Sequence, residues 1–407
     1  MSAETLGLVV FLAMLSCLAS WRLCGSMRGL AHLDHPTDRS LHTVPTPCVG
    51  GLAILGGLYS AILLGIAAVV SGAVFATFEK PNLVAGSWIL GLTLLILVIS
   101  YLDDRRIIQP GIRLAIHVVA VAGFVRGVGG WVEWIPIPLM GNVILGWLMV
   151  PLWFLLIVWI RKLFGSIMGL TEGALILGLG FVAYVMATGG PIISMVLSLG
   201  LTVLCLVWVT NLYNFMDGMD GFAGGMTLIG HAFLGYLAWQ GGHHLIFALS
   251  LLVAGASCGF LIWNFPPAKI FMGDAGSVPL GFLTGTLATL GVHDKLFDVW
   301  VPVLIFSPFW VDATVTLIRR MLEGEKIWQA HRSHYYQRLV LAGWGHRRTV
   351  LAEYGLMLWC GAVAIFYHHA SEAWRLVSLG VWGLVFVMAA VGVAAVEQRK
   401  VARQPVG

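Results

Sequence analysis

Asn214, Asp217 and Asp220 lie in NLYNFMDGMDGFAGG, and Asp274 lies in NFPPAKIFMGDAGS. Their side chains offer hard oxygen ligands, which suit Mg2+ or Mn2+ rather than zinc. Magnesium takes one or two protein carboxylates and leaves its other positions to water and substrate phosphate. The neighbouring glycines allow close backbone approach. Asp103 and Asp104 are adjacent and repel, which raises one pKa unless a cation compensates. A divalent ion or Arg105, Arg106 and Arg113 would supply that compensation. Lys269, Arg113, Arg332 and His331 are positive donors for phosphate oxygens. Oxygen ligands with a cationic rim point to phosphoryl chemistry on a diphosphate.

Two further polar clusters accompany these. Residues 33–51 read LDHPTDRSLHTVPTPCVGG and contain Asp34, Arg39, Ser40 and His42. The 319–348 loop contains HRSHYYQR, with His331, Arg332 and His334, and Asp312 precedes it just inside the apolar stretch. Read alone, each cluster could be a solvated loop or a glycine-rich turn. Seven of the 19 acidic residues (Asp34, Asp38, Asp103, Asp104, Asp217, Asp220 and Asp274) fall in the four clusters other than the 319–348 loop, a concentration that a structural scaffold has little reason to make.

The elements that position them are membrane helices. Of 407 residues, 59% are hydrophobic and only 10% charged, against about 25% charged in soluble domains. That excludes disorder, a collagen-like repeat and an ordinary soluble enzyme. Thirteen apolar blocks are long enough to span: 5–25, 48–70, 85–102, 112–129, 143–160, 171–188, 191–210, 222–240, 244–264, 277–292, 299–318, 349–368 and 374–396. A lipid-facing backbone must satisfy its own hydrogen bonds, so each is read as a helix. The expected fold is an all-α polytopic integral membrane protein of about 11–13 transmembrane helices. Residues 1–396 read as a single transmembrane domain and 397–407 as a short basic tail; the first block is read as a retained span. The six cysteines are scattered and suggest neither disulfides nor zinc.

Nineteen of the 23 Lys and Arg residues fall on one side of this topology. Positive loops stay in the cytoplasm, so the five clusters are expected on the cytoplasmic face of the membrane. The net charge of +4 therefore reflects topology and not nucleic-acid binding. Trp131, Trp134, Trp300 and Trp374 fall in or beside outer loops, as interfacial anchors would. His243-His244 and His368-His369 fall on the outer side and receive no catalytic role. Residues 156–190 weakly echo 206–242, with Met168 and Thr171 where the second copy has Asp217 and Asp220. This suggests an added hairpin over 161–190, although glycine-rich apolar hairpins also look alike.

At these motifs the sequence resembles the polyprenyl-phosphate N-acetylhexosamine-1-phosphate transferase family, over roughly 33–340. The motifs are DHPTDRSLHTVPTPCVGG, YLDDRR, NLYNFMDGMDGFAGG, NFPPAKIFMGDAGS, DATVTLIRR and HRSHYYQRL. The last resembles the branch making O-antigen lipid precursors. The resemblance implies transfer of a sugar-1-phosphate from a UDP-N-acetyl sugar to undecaprenyl phosphate, with release of UMP. It implies Mg2+, with Mn2+ as a substitute, held by Asp274 and Asn214. Asp103-Asp104 would handle the lipid phosphate, and Arg113 matches a basic position near the phosphates. Asp217 and Asp220 would shape the nucleotide or metal region; His331, Arg332 and His334 would face the diphosphate and sugar. Arg39, His42, Asn211 and Lys269 complete the expected substrate-binding set. Cys48 departs from the family, standing where an arginine is common.

An ion-coupled transporter would instead place its acids near the bilayer midplane. Here they cluster at span ends, with Asp312 a partial exception. An inactive lipid-binding scaffold would have no use for the metal-site carboxylates, and the helix pattern of CDP-alcohol phosphotransferases is not found. The sequence leaves open which UDP-N-acetyl sugar is used (FucNAc, QuiNAc or GlcNAc), the glycan pathway and whether the chain is a homodimer.

Overall fold

The computed structural model describes residues 3–30, 33–36, 40–71, 80–105, 108–128, 191–325 and 331–403. The expected spans 143–160 and 171–188, the 161–190 hairpin, Arg39, Trp131 and Trp134 lie outside the described residues. The other eleven apolar blocks are helical. The helices are α1 (Ala3–Met27), α2 (Gly50–Val70), α3 (Lys80–Arg105), α4 (Pro110–Val128) and α5 (Pro191–Met216). They continue as α6 (Phe222–Gln240), α7 (His244–Asn264), α8 (Asp274–His293), α9 (Trp300–Ile305) and α10 (Ser307–Leu322). The chain closes with α11 (Tyr335–Leu339), α12 (Gly345–His369) and α13 (Glu372–Arg403). Among the described residues, eight helices are long and apolar enough to cross a membrane. The last helix runs past 396 without a break, so residues 397–403 continue it.

One expected span is two helices. The block 299–318 divides at Phe306, between α9 and α10. Pro308 has no N–H, and in a continuous helix its ring would crowd the Leu304 carbonyl. That carbonyl instead accepts from Ser307 Oγ at 2.7 Å. The Trp310 indole N–H takes the Val303 carbonyl at 2.8 Å, so the break leaves both acceptors satisfied.

Helix α8 forms the centre, buried on every face, with α2, α3 and α5 packed around it. Helix α1 lies against α2 and α7, α6 against α7 and α12, and α13 is peripheral. Lipid tails are as apolar as leucine, so close backbone approach carries helix association in a membrane. Gly255 and Gly259 of α7 face the backbone of Ala13 and Cys17 on α1, and a Cβ at Gly259 would overlap the Cys17 carbonyl. Gly259→Leu is therefore expected to push α1 off α7 and cost about 1–3 kcal/mol of stability. A lower melting temperature of detergent-purified protein would show it; unchanged melting would mean the two helices do not meet at this glycine.

The antiparallel run of helices brings the C-terminal ends of α3, α5 and α7 to the starts of α2, α4, α6, α8 and α12. The segment before α2 closes this end. Leu33–Asp34 pairs antiparallel with Thr46–Pro47, and Cys48 bridges in parallel to Phe271. Gly50 and Gly51 N–H then donate to the Phe271 and Met272 carbonyls at 2.8 and 2.9 Å. Polar clusters far apart in sequence thus meet at one end of the bundle.

Candidate active site

The site is built on the first turn of α8. A helix begins with N–H groups that have no intrahelical partner and carries partial positive charge there. Gly273 has φ 73°, a left-handed value that costs glycine little, and it turns the chain into α8. Its own N–H is bonded by Asp217, while Asp104 accepts from the N–H groups of Asp274 and Ala275. Asn214, at the end of α5, donates to Asp274 Oδ1 at 2.6 Å and to Ser277 Oγ at 3.1 Å. Three aspartates from three parts of the chain converge on one helix start.

The helix end does not neutralise them. Burial, and then the Asp274 carboxylate, push Asp217 well above the ordinary carboxylate range despite the Gly273 hydrogen bond. Cys48 occupies the same place: burial and then Asp104, Asp217, Asp34 and Asp274 push its thiol up. A cysteine therefore stands, uncharged, among four carboxylates at the position where the resembling family commonly carries a cation. The α2 and α8 backbones cross beside it at Gly51 and Gly276, where a Cβ on either would overlap the other chain.

The Asp103-Asp104 pair is split. Asp104 faces α8, whereas Asp103 accepts from Ile108 N–H at 2.8 Å and from Arg113 at 2.5 Å. Arg113 thus pairs directly with Asp103. The glycine-rich pair is split as well. Asp217 joins the acid cluster, but buried Asp220 accepts from Ala268 N–H at 2.9 Å and lies 3.1 Å from His346 Nδ1. Asn264 works beside it, accepting from Gly221 N–H at 2.8 Å and donating to the Ile270 carbonyl at 2.9 Å. Asp220 is a strut that fixes the 264–273 loop, and so the start of α8.

His331 and His334 also divide. His334 is buried and its Nδ1 lies 3.2 Å from Asp312 Oδ1; the two imidazole centroids are 4.8 Å apart. Asp312 further accepts from Thr316 Oγ1, Tyr335 N–H and Tyr336 N–H at 3.0, 2.9 and 3.2 Å. Burial, followed by His334 and Arg320, pushes His331 down to about 4. His331 is therefore neutral near pH 7, which corrects its expected place among the positive donors.

Of the remaining expected site residues, His42 packs edge-on against Phe271 with ring centroids 4.8 Å apart and lies 3.8 Å from Asp34. Asn211 donates back along α5 to the Val207 carbonyl. Arg332 is exposed, and Lys269 is exposed over the Trp263 ring. His346 and Ser277 were not singled out from sequence. Ser277 belongs to the quoted GDAGS motif, but nothing in the spacing of His346 announces its contact with distant Asp220.

The donor set fits a hard divalent cation by its chemistry: aspartates, an asparagine and a serine, with like charges crowded together. Among the described residues no group of three or more His, Cys, Asp or Glu side chains is placed to hold a metal ion by itself. Mg2+ needs none, since it keeps positions for water and phosphate.

The glycosyl transferase family 4 profile matches residues 161–292, which contain Asn214, Asp217, Asp220 and Asp274. The family 4 match includes 161–190, the stretch read from sequence as an added hairpin. Relatives extend the likeness beyond it. The chain is 29% identical over 325 residues to a probable undecaprenyl-phosphate N-acetylglucosaminyl 1-phosphate transferase of Bacillus subtilis, covering 79% of this chain and 73% of that protein. It is 29% identical over 354 residues to a decaprenyl-phosphate N-acetylglucosaminephosphotransferase of Mycolicibacterium smegmatis, covering 81% and 73%. A phospho-N-acetylmuramoyl-pentapeptide-transferase of Moorella thermoacetica is 34% identical over 158 residues, 39% of this chain and 48% of that protein. These homologues are polyprenyl-phosphate N-acetylhexosamine-1-phosphate transferases and related enzymes.

Proposed function

We propose that this membrane protein transfers an N-acetylhexosamine-1-phosphate from a UDP-sugar to undecaprenyl phosphate, releasing UMP, as a first step of lipid-linked O-antigen or a related envelope glycan. The observation that carries the reading is the convergence of Asp104, Asp217 and Asp274 on one helix start within a chain whose homologues are transferases of this kind. A phosphate monoester has a second pKa near 6, so the lipid phosphate is largely dianionic at neutral pH and needs no strong base. The obstacle is bringing that anion onto an anionic diphosphate. Mg2+ held by Asp274 and Asp217, with Asn214 beside them, would supply charge neutralisation for both phosphates and the UMP leaving group. Asp104 and Asp217 orient the first turn of α8, Asp220 holds the loop that leads into it, and Arg113 holds Asp103. The positive-inside pattern supports a cytoplasmic site at the inner membrane, where a soluble nucleotide sugar meets a lipid acceptor.

The test is transfer of labelled sugar from a panel of UDP-N-acetylhexosamines into undecaprenyl phosphate by purified protein, with and without Mg2+. Lipid product and UMP in equal amounts, dependent on metal, are expected. No product from any donor with folded protein would overturn the reading and favour an inactive scaffold or a transporter.

A second measurement addresses the metal. Asp217 holds a proton more tightly than an ordinary carboxyl, and a cation must displace that proton, so metal affinity is expected to rise with pH. The rise in melting temperature with Mg2+ should half-saturate at a higher metal concentration at about pH 6 than at about pH 8. The opposite order, or no dependence, would remove Asp217 from the metal site.

A further inference from the structure

We propose that the edge of α1 and α7 at the site end of the bundle docks the phosphate headgroup of an anionic phospholipid, between Arg22, Arg28 and Lys269 around Trp21 and Trp263. Trp263, in the last turn of α7, donates its indole N–H to the Trp21 carbonyl of α1 at 3.1 Å, which fixes the ring across the two helices. The Arg28 guanidinium lies 5.0 Å from the Trp263 ring centroid and the Lys269 ammonium 5.9 Å. The Arg22 guanidinium lies 5.1 Å from the Trp21 ring. All three cations are exposed.

At the same end Arg113, Arg320 and Arg338 meet the carboxylates of Asp103, Glu325 and Glu397. For Arg22, Arg28 and Lys269 the contacts among the described residues are aromatic rings. A ring quadrupole holds a cation in place without cancelling its charge. The patch therefore presents three positioned positive charges to a phosphate.

An apolar stripe leads to it. Phe11, Met14 and Leu18 are 61%, 65% and 49% exposed on α1, and Arg22 follows Leu18 by one helical turn on the same face. Ile262 of α7, one residue before Trp263, is 61% exposed. An apolar stripe capped by cations matches a lipid with acyl chains and an anionic head. The occupant is a bulk phospholipid and not the acceptor, because a phosphate held at this open perimeter is held on the lipid side of α1 and not at the first turn of α8.

The inference is tested by titrating phosphatidylglycerol into the full-length protein in detergent and following its melting temperature. Each Lys or Arg near an anionic lipid surface contributes about fivefold in affinity, so R22Q/R28Q should move the half-saturating lipid concentration up by roughly 25-fold. R22K/R28K should keep the wild-type value, as should R347Q/R348Q, which removes two exposed charges at the same end. Phosphatidylcholine should give no saturable rise in any variant. Equal titrations for wild type and R22Q/R28Q would overturn the proposal, and so would equal shifts in R22Q/R28Q and R347Q/R348Q, which would mean diffuse surface charge. A response to undecaprenyl phosphate with none to phosphatidylglycerol would also overturn it, in favour of an acceptor site. Transfer activity is read separately, so loss of the lipid effect does not count against the transferase reading.

Discussion

Asp274→Asn is expected to lower transfer turnover by about 10²–10³-fold while the protein still inserts and melts at or above the wild-type temperature. The asparagine keeps an oxygen that can accept from Asn214, which bonds Asp274 Oδ1 at 2.6 Å in the wild type. What is lost is one negative charge among the carboxylates crowded at the start of α8. Removing it relieves repulsion in the metal-free protein, so stability is maintained or improved. It also takes away a hard anionic ligand, so the rise in melting temperature on adding Mg2+ should shrink or vanish. Single-turnover transfer and a magnesium titration on the same preparation check both halves. Wild-type turnover at saturating Mg2+ would remove Asp274 from the metal site.

Asp312→Ala is expected to have the largest effect on stability, about 3–5 kcal/mol, with loss of activity following from it. Asp312 is buried near the end of the bundle and accepts from Thr316, His334 and the N–H groups of Tyr335 and Tyr336. Alanine would leave those donors without their acceptor, and an unsatisfied buried polar group incurs its full desolvation penalty. The N–H groups of Tyr335 and Tyr336 open α11, so the segment carrying His331 and His334 would lose its anchor to α10. Asp312→Asn keeps one acceptor oxygen and should fall between wild type and alanine. Thermal melting of the two variants in one detergent measures the order; alanine as stable as wild type would show that Asp312 is not the anchor.

Much of this protein was legible in its sequence. Apolar blocks longer than a bilayer core leave a helix as the way to satisfy the backbone, and the eleven blocks within the described residues are helical. The acids at span ends could be read as a site because antiparallel spans return alternate ends to one side, and Asp104, Asn214, Asp217 and Asp274 do meet there. The break at Phe306 was not legible in this way, because the consequence of Pro308 depends on whether nearby groups can take the freed carbonyls.

Only the tertiary structure decided which member of each motif faces which neighbour. Asp103 and Asp104 are adjacent, yet one bonds Arg113 and the other the start of α8. Asp217 and Asp220 are three residues apart, yet the turn between α5 and α6 sends one into the acid cluster and the other under the 264–273 loop. His331 reads as a cation until burial makes its charged form costly. Residue types and span ends are local properties, fixed by composition and hydrophobic length. The direction of a side chain, and the charge it carries, depend on which helix packs beside it, and that is settled by contacts between segments distant in the chain.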